Sequence, residues 1–298
     1  MTKRVLALGF FDGVHLGHGA LIRQTARRAE ELGAVPSVLT FDVHPDTLVR
    51  GELVPLITSP EDRAELIRHL FGVEEILSLR FDRSLMQMPW DEFLAWVKGE
   101  FDAVHLICGH DFSFGWKGEG TPQRLQAKCA ELGMGSDVIP KVTVDGETVS
   151  STRIRQLLLE GKLREANRLL GHPHALTDTV HTGYRLGRKL GAPTINMGFQ
   201  PGVLVPAHGV YAGRLRIEGE TVDRWAVTNI GVRPTVSDGE RVSVESFILD
   251  YEGNLYGRRV RLELLDFLRP ERKFADTDAL KAQIARDTAA VRAFMAEF

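Results

Sequence analysis

Short apolar runs alternate with longer segments whose apolar positions recur every three or four residues through the first half of the chain. Residues 5–8, 35–41, 75–79 and 103–108 read as buried strands, and the segments between them carry a helical period. Helices are predicted from about residue 19 to 32, stopped by Gly33, and over 61–71, 89–97 and 121–132, the last with Thr121 as cap and Pro122 in its first turn. This alternation predicts an α/β domain around a mostly parallel sheet, in which loops after several strands converge on one ligand crevice.

A helical period continues over 149–170, and residues 171–178 form a breaker-rich stretch that reads as a linker. The domain boundary is therefore expected at 172/173. Beyond it the period changes to strict alternation. Residues 210–217, 224–230, 241–251 and 258–268 are predicted strands, separated by turns at 218–220, 237–240 and 251–254. An all-β small barrel is expected, closed by a helix over 278–297 whose Leu280, Ile284, Thr288, Val291 and Met295 form an inward packing stripe.

Composition supports two domains, since 298 residues with 43% hydrophobic content can bury two sizeable cores. A net charge of -3 argues against a general nucleic-acid binder. The first apolar run is broken by Asp12, and no stretch has the length of a membrane span, so a cytoplasmic chain with no membrane partner is expected. Cys108 lies in an apolar strand and Cys129 in a helical segment, which reads as two free, packed thiols.

The first candidate chemistry is GFFDGVHLGH, residues 9–18, where a strand gives way to a glycine-rich turn and a helix. Gly9, Gly13 and Gly17 allow backbone close to a ligand, the helix start carries partial positive charge, and His15 and His18 stand three residues apart. That arrangement suits a phosphate chain. Three later loops follow strands or open helices: residues 40–49, 109–120 with the aromatics Phe112, Phe114 and Trp116, and 149–161. In the last, Arg153 and Arg155 crowd a helix start that disfavours cations, a conflict that a bound anion resolves.

HLGH in this setting resembles the HxGH signature of the nucleotidyltransferase superfamily. The fuller string, with TFxxHP, GxDFxFG and SSTRIR segments in order, resembles the adenylyltransferase half of bacterial riboflavin kinase/FAD synthetases. The resemblance implies a Rossmann-like nucleotidyltransferase domain over 1–172 that joins FMN to the adenylyl group of ATP, giving FAD and pyrophosphate. It implies that His15 and His18 are catalytic and that Gly9, Phe10, Asp12, Gly13, Asp111, Ser151, Thr152 and Arg153 bind ATP and its phosphates.

In the second half, Gly183, Gly187 and Gly191 are spaced by four, with Arg185, Arg188 and Lys189 between them, which suits a flexible cover for phosphates. The stretch lacks the Walker pattern, so a P-loop kinase is not supported. The following PTIN resembles the PTAN motif of riboflavin kinases. Residues 209–215, 229–236 and 244–257 resemble the same domain in its order, so the likeness covers almost the whole chain. Over 173–298 it implies phosphorylation of riboflavin to FMN. Gly183, Gly187, Arg188, Gly191, Thr194 and Asn196 would bind ATP, Thr194 and Asn196 would also hold Mg2+, and Glu245 would be the base for the riboflavin hydroxyl. Strand alternation puts Glu245 on one face with Arg241, Ser243 and Phe247. ATP enters as co-substrate, and no permanently bound cofactor is expected. Ala192, Ile195 and Phe247 depart from the residues usual in the family and bear on pocket shape.

Overall fold

The computed structural model describes residues 2–182, 194–234 and 240–297, with backbone only at 233, 234, 240 and 241. They form two compact units, one of Met1–Leu56 with Pro60–Ser151 and one of Ile57–Ser59 with Thr152–Phe298.

The first unit is built on five parallel strands, β1 (Arg4–Leu8), β2 (Val35–Phe41), β3 (Glu75–Leu79), β4 (Ala103–Gly109) and β5 (Gly135–Ile139), in the order β3-β2-β1-β4-β5. Helices α1 (Leu16–Leu32), α2 (Pro45–Arg50), α3 (Pro60–Phe71), α4 (Arg83–Gln87), α5 (Trp90–Phe101) and α6 (Pro122–Glu131) connect them. A sheet covered on both faces explains the unbroken apolar runs. Val5 and Ala7 pack with Ile22 and Ile67 of α1 and α3, whereas Leu6 and Leu8 pack with Leu94 and Leu125 of α5 and α6. Strand order reverses between β1 and β4, so the loops leaving these two strands flank the switch-point crevice where such sheets bind ligands. A two-stranded hairpin, β6 (Thr143–Val144) and β7 (Glu147–Thr148), follows.

Helix α1 begins three residues earlier than its period suggests, because His15 rather than a later residue caps it. Gly17 and Gly19, poor helix formers, mask that start in the sequence. The two cysteines are free and buried in one cluster, as expected, and burial raises their thiols to about 12 at Cys108 and about 11 at Cys129.

From Thr152 the chain runs in the second unit, through the rest of α7 (Ser151–Leu159) and α8 (Leu163–Leu170). A six-stranded antiparallel sheet follows: β8 (His174–Thr179), β9 (Thr194–Met197), β10 (Gly209–Ile217), β11 (Arg224–Pro234), β12 (Glu240–Ile248) and β13 (Arg259–Pro270), in the order β8-β13-β10-β11-β12-β9. Two bulges in the β10–β13 pair help curl the sheet into a half-barrel. Its edges meet: the His181 amide donates to the Asn196 carbonyl at 2.8 Å, and the Gly198 amide to Asp178 Oδ2 at 2.7 Å.

Two expectations need correction here. The stretch expected as a linker contains strand β8, which pairs with β13 and buries His174, Ala175 and Leu176; Pro173 and the short apolar content hide it. In the terminal helix, α9 (Thr277–Met295), the buried positions are Gln283, Asp287 and Val291; of the expected apolar stripe Val291 is buried, and Leu280, Ile284, Thr288 and Met295 are half-buried. Packing is therefore only part of what this helix does. No helix among the described residues is long and apolar enough to cross a membrane.

Candidate functional site

The turn after β1 is strained where the chemistry is expected. Phe11 has φ 60°, Gly13 φ 76° and Val14 φ 44°, a left-handed run that only the glycine accepts without cost. Such residues cost about 1–3 kcal/mol each and persist when surrounding contacts over-determine them. Those contacts are present: Thr40 Oγ1 donates to the Phe10 carbonyl at 2.9 Å, the Gly9 amide to the Leu39 carbonyl at 3.2 Å, and Ser151 Oγ to the Asp12 carbonyl at 3.1 Å.

His15 Nδ1 accepts the His18 amide at 3.2 Å, which leaves the ring proton on Nε2 as a donor. The rings of His15 and His18 stack at 3.6 Å with 12° between their planes. A Cβ on Gly17 would press on the His15 ring at 3.1 Å, so the residue between the histidines has to be small. Burial, then the neighbouring His15, then Arg63, hold His18 well below the usual imidazole range. It is a neutral group at pH 7.

A cavity of about 480 Å³ lies in the same unit, walled by Phe41, Phe81, Phe93, Phe112, Phe114 and Trp116. Its rim loop depends on glycine. Gly115 has φ 73°, and a Cβ there would collide with the Trp90 backbone. Asp111 stands apart from this lining, on the exposed turn after β4 beside His110 (3.8 Å). Ser151 is brought to the strained turn, whereas Thr152 and Arg153 follow it in the second unit, where Arg153 Nη1 donates to Gln156 Oε1 at 3.2 Å.

In the second unit the register places three side chains in a row. Asn196 of β9 and Asn229 of β11 both stand opposite Glu245 of β12, one on each side. Directly opposed residues bring Cβ atoms to about 5 Å, so all three project from one face. Thr194 is likewise opposite Phe247. A cavity of about 290 Å³ opens there, lined by Thr194, Asn229, Glu245 and Phe247 on one side and by Glu271, Arg272, Leu280 and Ile284 on another. Gly183, Gly187, Arg188, Gly191 and Ala192 lie outside the described residues.

The FAD synthetase family model matches residues 1–153 and the riboflavin kinase model residues 170–295. A bifunctional riboflavin kinase/FMN adenylyltransferase of Listeria monocytogenes is 38% identical over 99% of this chain and 93% of its own length. Its namesakes from Bacillus subtilis and Escherichia coli K12 are 34% and 35% identical, over 96% and 97% of this chain and 90% and 92% of theirs. The chain belongs to the bifunctional riboflavin kinase/FMN adenylyltransferase family. It carries both domains and with them both steps of flavin cofactor synthesis, FMN from riboflavin and FAD from FMN. ATP serves both steps, and ATP-using enzymes of these classes work with a divalent metal. A solved structure described as a macrolide-efflux protein from Streptococcus pneumoniae is similar throughout, 30% identical with a TM-score of 0.87, over 98% of this chain and 94% of that one.

The structure also brings Arg63, and His44 of the TFxxHP segment, to the strained turn. Arg63, on α3 and almost wholly buried, donates to the Phe10 carbonyl (Nη1, 2.8 Å) and the Phe41 carbonyl (Nη2, 2.8 Å), and its guanidinium lies 4.3 Å from the Phe10 ring centroid. Burial pushes it down to about 10, against Asp12 and Asp42, so it stays charged at neutral pH. One side chain thus ties the strained turn to the end of β2. His44 caps α2 by accepting the Asp46 amide at 3.2 Å and sets its ring edge-on to Phe10 at 4.7 Å. In the kinase half, Glu271 Oε1 accepts Asn229 Nδ2 at 3.0 Å, directly over Gly231, where any Cβ would displace the carboxylate. Arg63 and Glu271 belong to no motif read from the sequence, whereas His44 lies in the TFxxHP segment.

Proposed function

We propose that residues 1–172 carry the adenylyl transfer and residues 173–298 the riboflavin kinase reaction, each on the residues named from its motifs. In the kinase, the observation that carries the reading is Glu245 set between Asn196 and Asn229 at the mouth of a cavity. Glu245 takes the proton from the 5′-hydroxyl of riboflavin as that oxygen attacks the γ-phosphorus of ATP, and ADP leaves. General-base help of this kind is worth ~10² to 10⁴ in rate.

The donor set near Glu245 fits a magnesium ion. Thr194 and Asn196 offer one hydroxyl and one amide oxygen, hard and neutral, and among the described residues no cluster of three or more His, Cys, Asp or Glu could form a resident metal cage. The ion would arrive with ATP and neutralise charge on its phosphates. Gly183, Gly187, Arg188 and Gly191 complete the proposed ATP site.

In the transferase, a phosphate oxygen of FMN attacks the α-phosphorus of ATP and pyrophosphate leaves. The Nε2–H of His15 and the neutral ring of His18 donate to the departing phosphates beside the start of α1, while Gly9, Phe10, Asp12 and Gly13 hold the turn against the nucleotide. Ser151, Thr152 and Arg153 add phosphate contacts, and Asp111 lies by the nucleotide. The apolar 480 Å³ cavity suits the flavin ring system. The chemistry needs alignment and charge stabilisation, with no covalent intermediate.

Purified protein incubated with riboflavin, ATP and Mg2+, followed by chromatography, tests this directly. FMN should appear first and FAD after it; riboflavin left unchanged would overturn the kinase reading, and FMN accumulating without FAD would overturn the transferase reading.

A further inference from the structure

The terminal helix buries a polar network that the two reactions as assigned do not use. Asp287 and Gln283 are 5% and 7% exposed on the face of α9 turned to the barrel. Asp287 takes a two-pronged ion pair from Arg269 at the end of β13, Nη2 to Oδ2 at 2.7 Å and Nε to Oδ1 at 3.0 Å. Gln283 Nε2 donates to Asp287 Oδ1 at 2.6 Å. The amide oxygen of Gln283 in turn accepts from Arg286 at 2.8 and 3.0 Å and from Arg272.

Stability alone does not account for this choice, because a well-packed apolar pair usually serves as well as a buried ion pair. Such a network does fix geometry. Arg269, Arg272 and Asp287 themselves line the kinase cavity, and one turn away on the same helix Leu280 and Ile284 form its apolar wall. Arg272 lies 4.9 Å from the Phe274 ring centroid, and its neighbour Glu271 holds Asn229, which stands opposite Glu245. The contacts therefore run without a break from α9 to the proposed base.

Building on the kinase reading above, we infer that Asp287, Arg269 and Gln283 are positioning residues that set the rotation of the terminal helix and the path of residues 270–274, and so shape the wall against which the planar, largely apolar acceptor substrate packs. They act on the acceptor, the flavin, and not on ATP, because the elements they hold supply the apolar side of the cavity.

The test uses the full chain and steady-state kinase kinetics, with circular dichroism and a thermal melt as the control for folding of the second unit and FAD synthesis from added FMN as the control for the first. Asp287→Asn keeps size but sets an amide against Arg269; Arg269→Lys keeps charge but loses the two-pronged geometry; Gln283→Met removes the acceptor for Arg272 and leaves no new buried charge. Each should raise KM for riboflavin about tenfold or more while KM for ATP and kcat stay within about threefold. The Asp287→Asn/Arg269→Lys double variant should be little worse than either single one. Should Asp287→Asn fail to fold, Gln283→Met carries the test. An unchanged riboflavin KM in the folded variants, or riboflavin and ATP KM rising together, overturns the inference. Glu245→Gln, measured alongside, separates it from the reading beneath: full kinase activity in that variant removes the catalytic assignment, whereas its loss with an unmoved riboflavin KM in Asp287→Asn and Gln283→Met removes only the positioning role.

Discussion

Asn196 stands directly opposite Glu245 in the antiparallel pair that closes one edge of the half-barrel. A candidate metal ligand and a candidate base are thus held in adjacent strands, with backbone hydrogen bonds, rather than loop conformation, setting their spacing.

Glu245→Gln preserves side-chain shape and removes its capacity to accept a proton. kcat for FMN formation should fall by about two to four orders of magnitude, with KM for ATP and riboflavin much less affected. Rapid-quench or coupled assays of FMN production decide this, and FAD synthesis from supplied FMN should continue nearly unchanged.

His18→Ala should block conversion of FMN to FAD while riboflavin phosphorylation persists. Because burial, His15 and Arg63 depress its pKa, His18 should also take up its proton at a lower pH than a free imidazole does. Nitrogen NMR of labelled histidines would reveal a contrary, ordinary imidazole titration.

Arg63→Met removes the donors to the Phe10 and Phe41 carbonyls; because the Phe10 carbonyl keeps Thr40 Oγ1, the expected loss is roughly 1–3 kcal/mol in all. Adenylyl transfer should be reduced more than the first unit is destabilised, since the strained turn loses one of its tethers while Thr40 and Ser151 still hold it. Calorimetry of the full chain beside the two activities checks this; equal adenylyl transfer in variant and parent would show that the turn holds without Arg63.

His174 is buried in β8, and burial first, then His172 and Arg261, push it down to about 3. Its unfolded value is near 6.5, so below that pH the unfolded chain binds the extra proton and the folded one does not. Its contribution to stability is full above pH 6.5 and falls as pH drops toward 3, by about 1.4 kcal/mol per pH unit. Between pH 7 and pH 4, the melting temperature of the second unit should fall less in His174→Leu than in the parent. Identical pH slopes would mean that His174 takes up its proton in the folded state.

The sequence exposes most of the architecture because period and chemistry agree over long stretches. The parallel sheet follows from apolar runs such as 103–108, and the placement of Glu245 follows from the two-residue alternation of β12. What stays hidden is polar and buried. Arg63 reads as a favourable surface residue in a helix, and only the fold reveals that two carbonyls await it. Gln283 and Asp287 occupy the most buried face of α9, where a hydrophobic period cannot register them. Strand β8 is obscured by the proline before it and by pairing with a strand far along the chain.

Cys108 and Cys129 are the only sulfhydryl groups in the chain, and both are fully covered and held as neutral thiols up to about pH 11. Peroxides and disulfides react with thiolates, not with buried thiols. A protein whose products are redox cofactors therefore offers an oxidant no exposed cysteine while it stays folded, and its two activities should withstand thiol-directed oxidants.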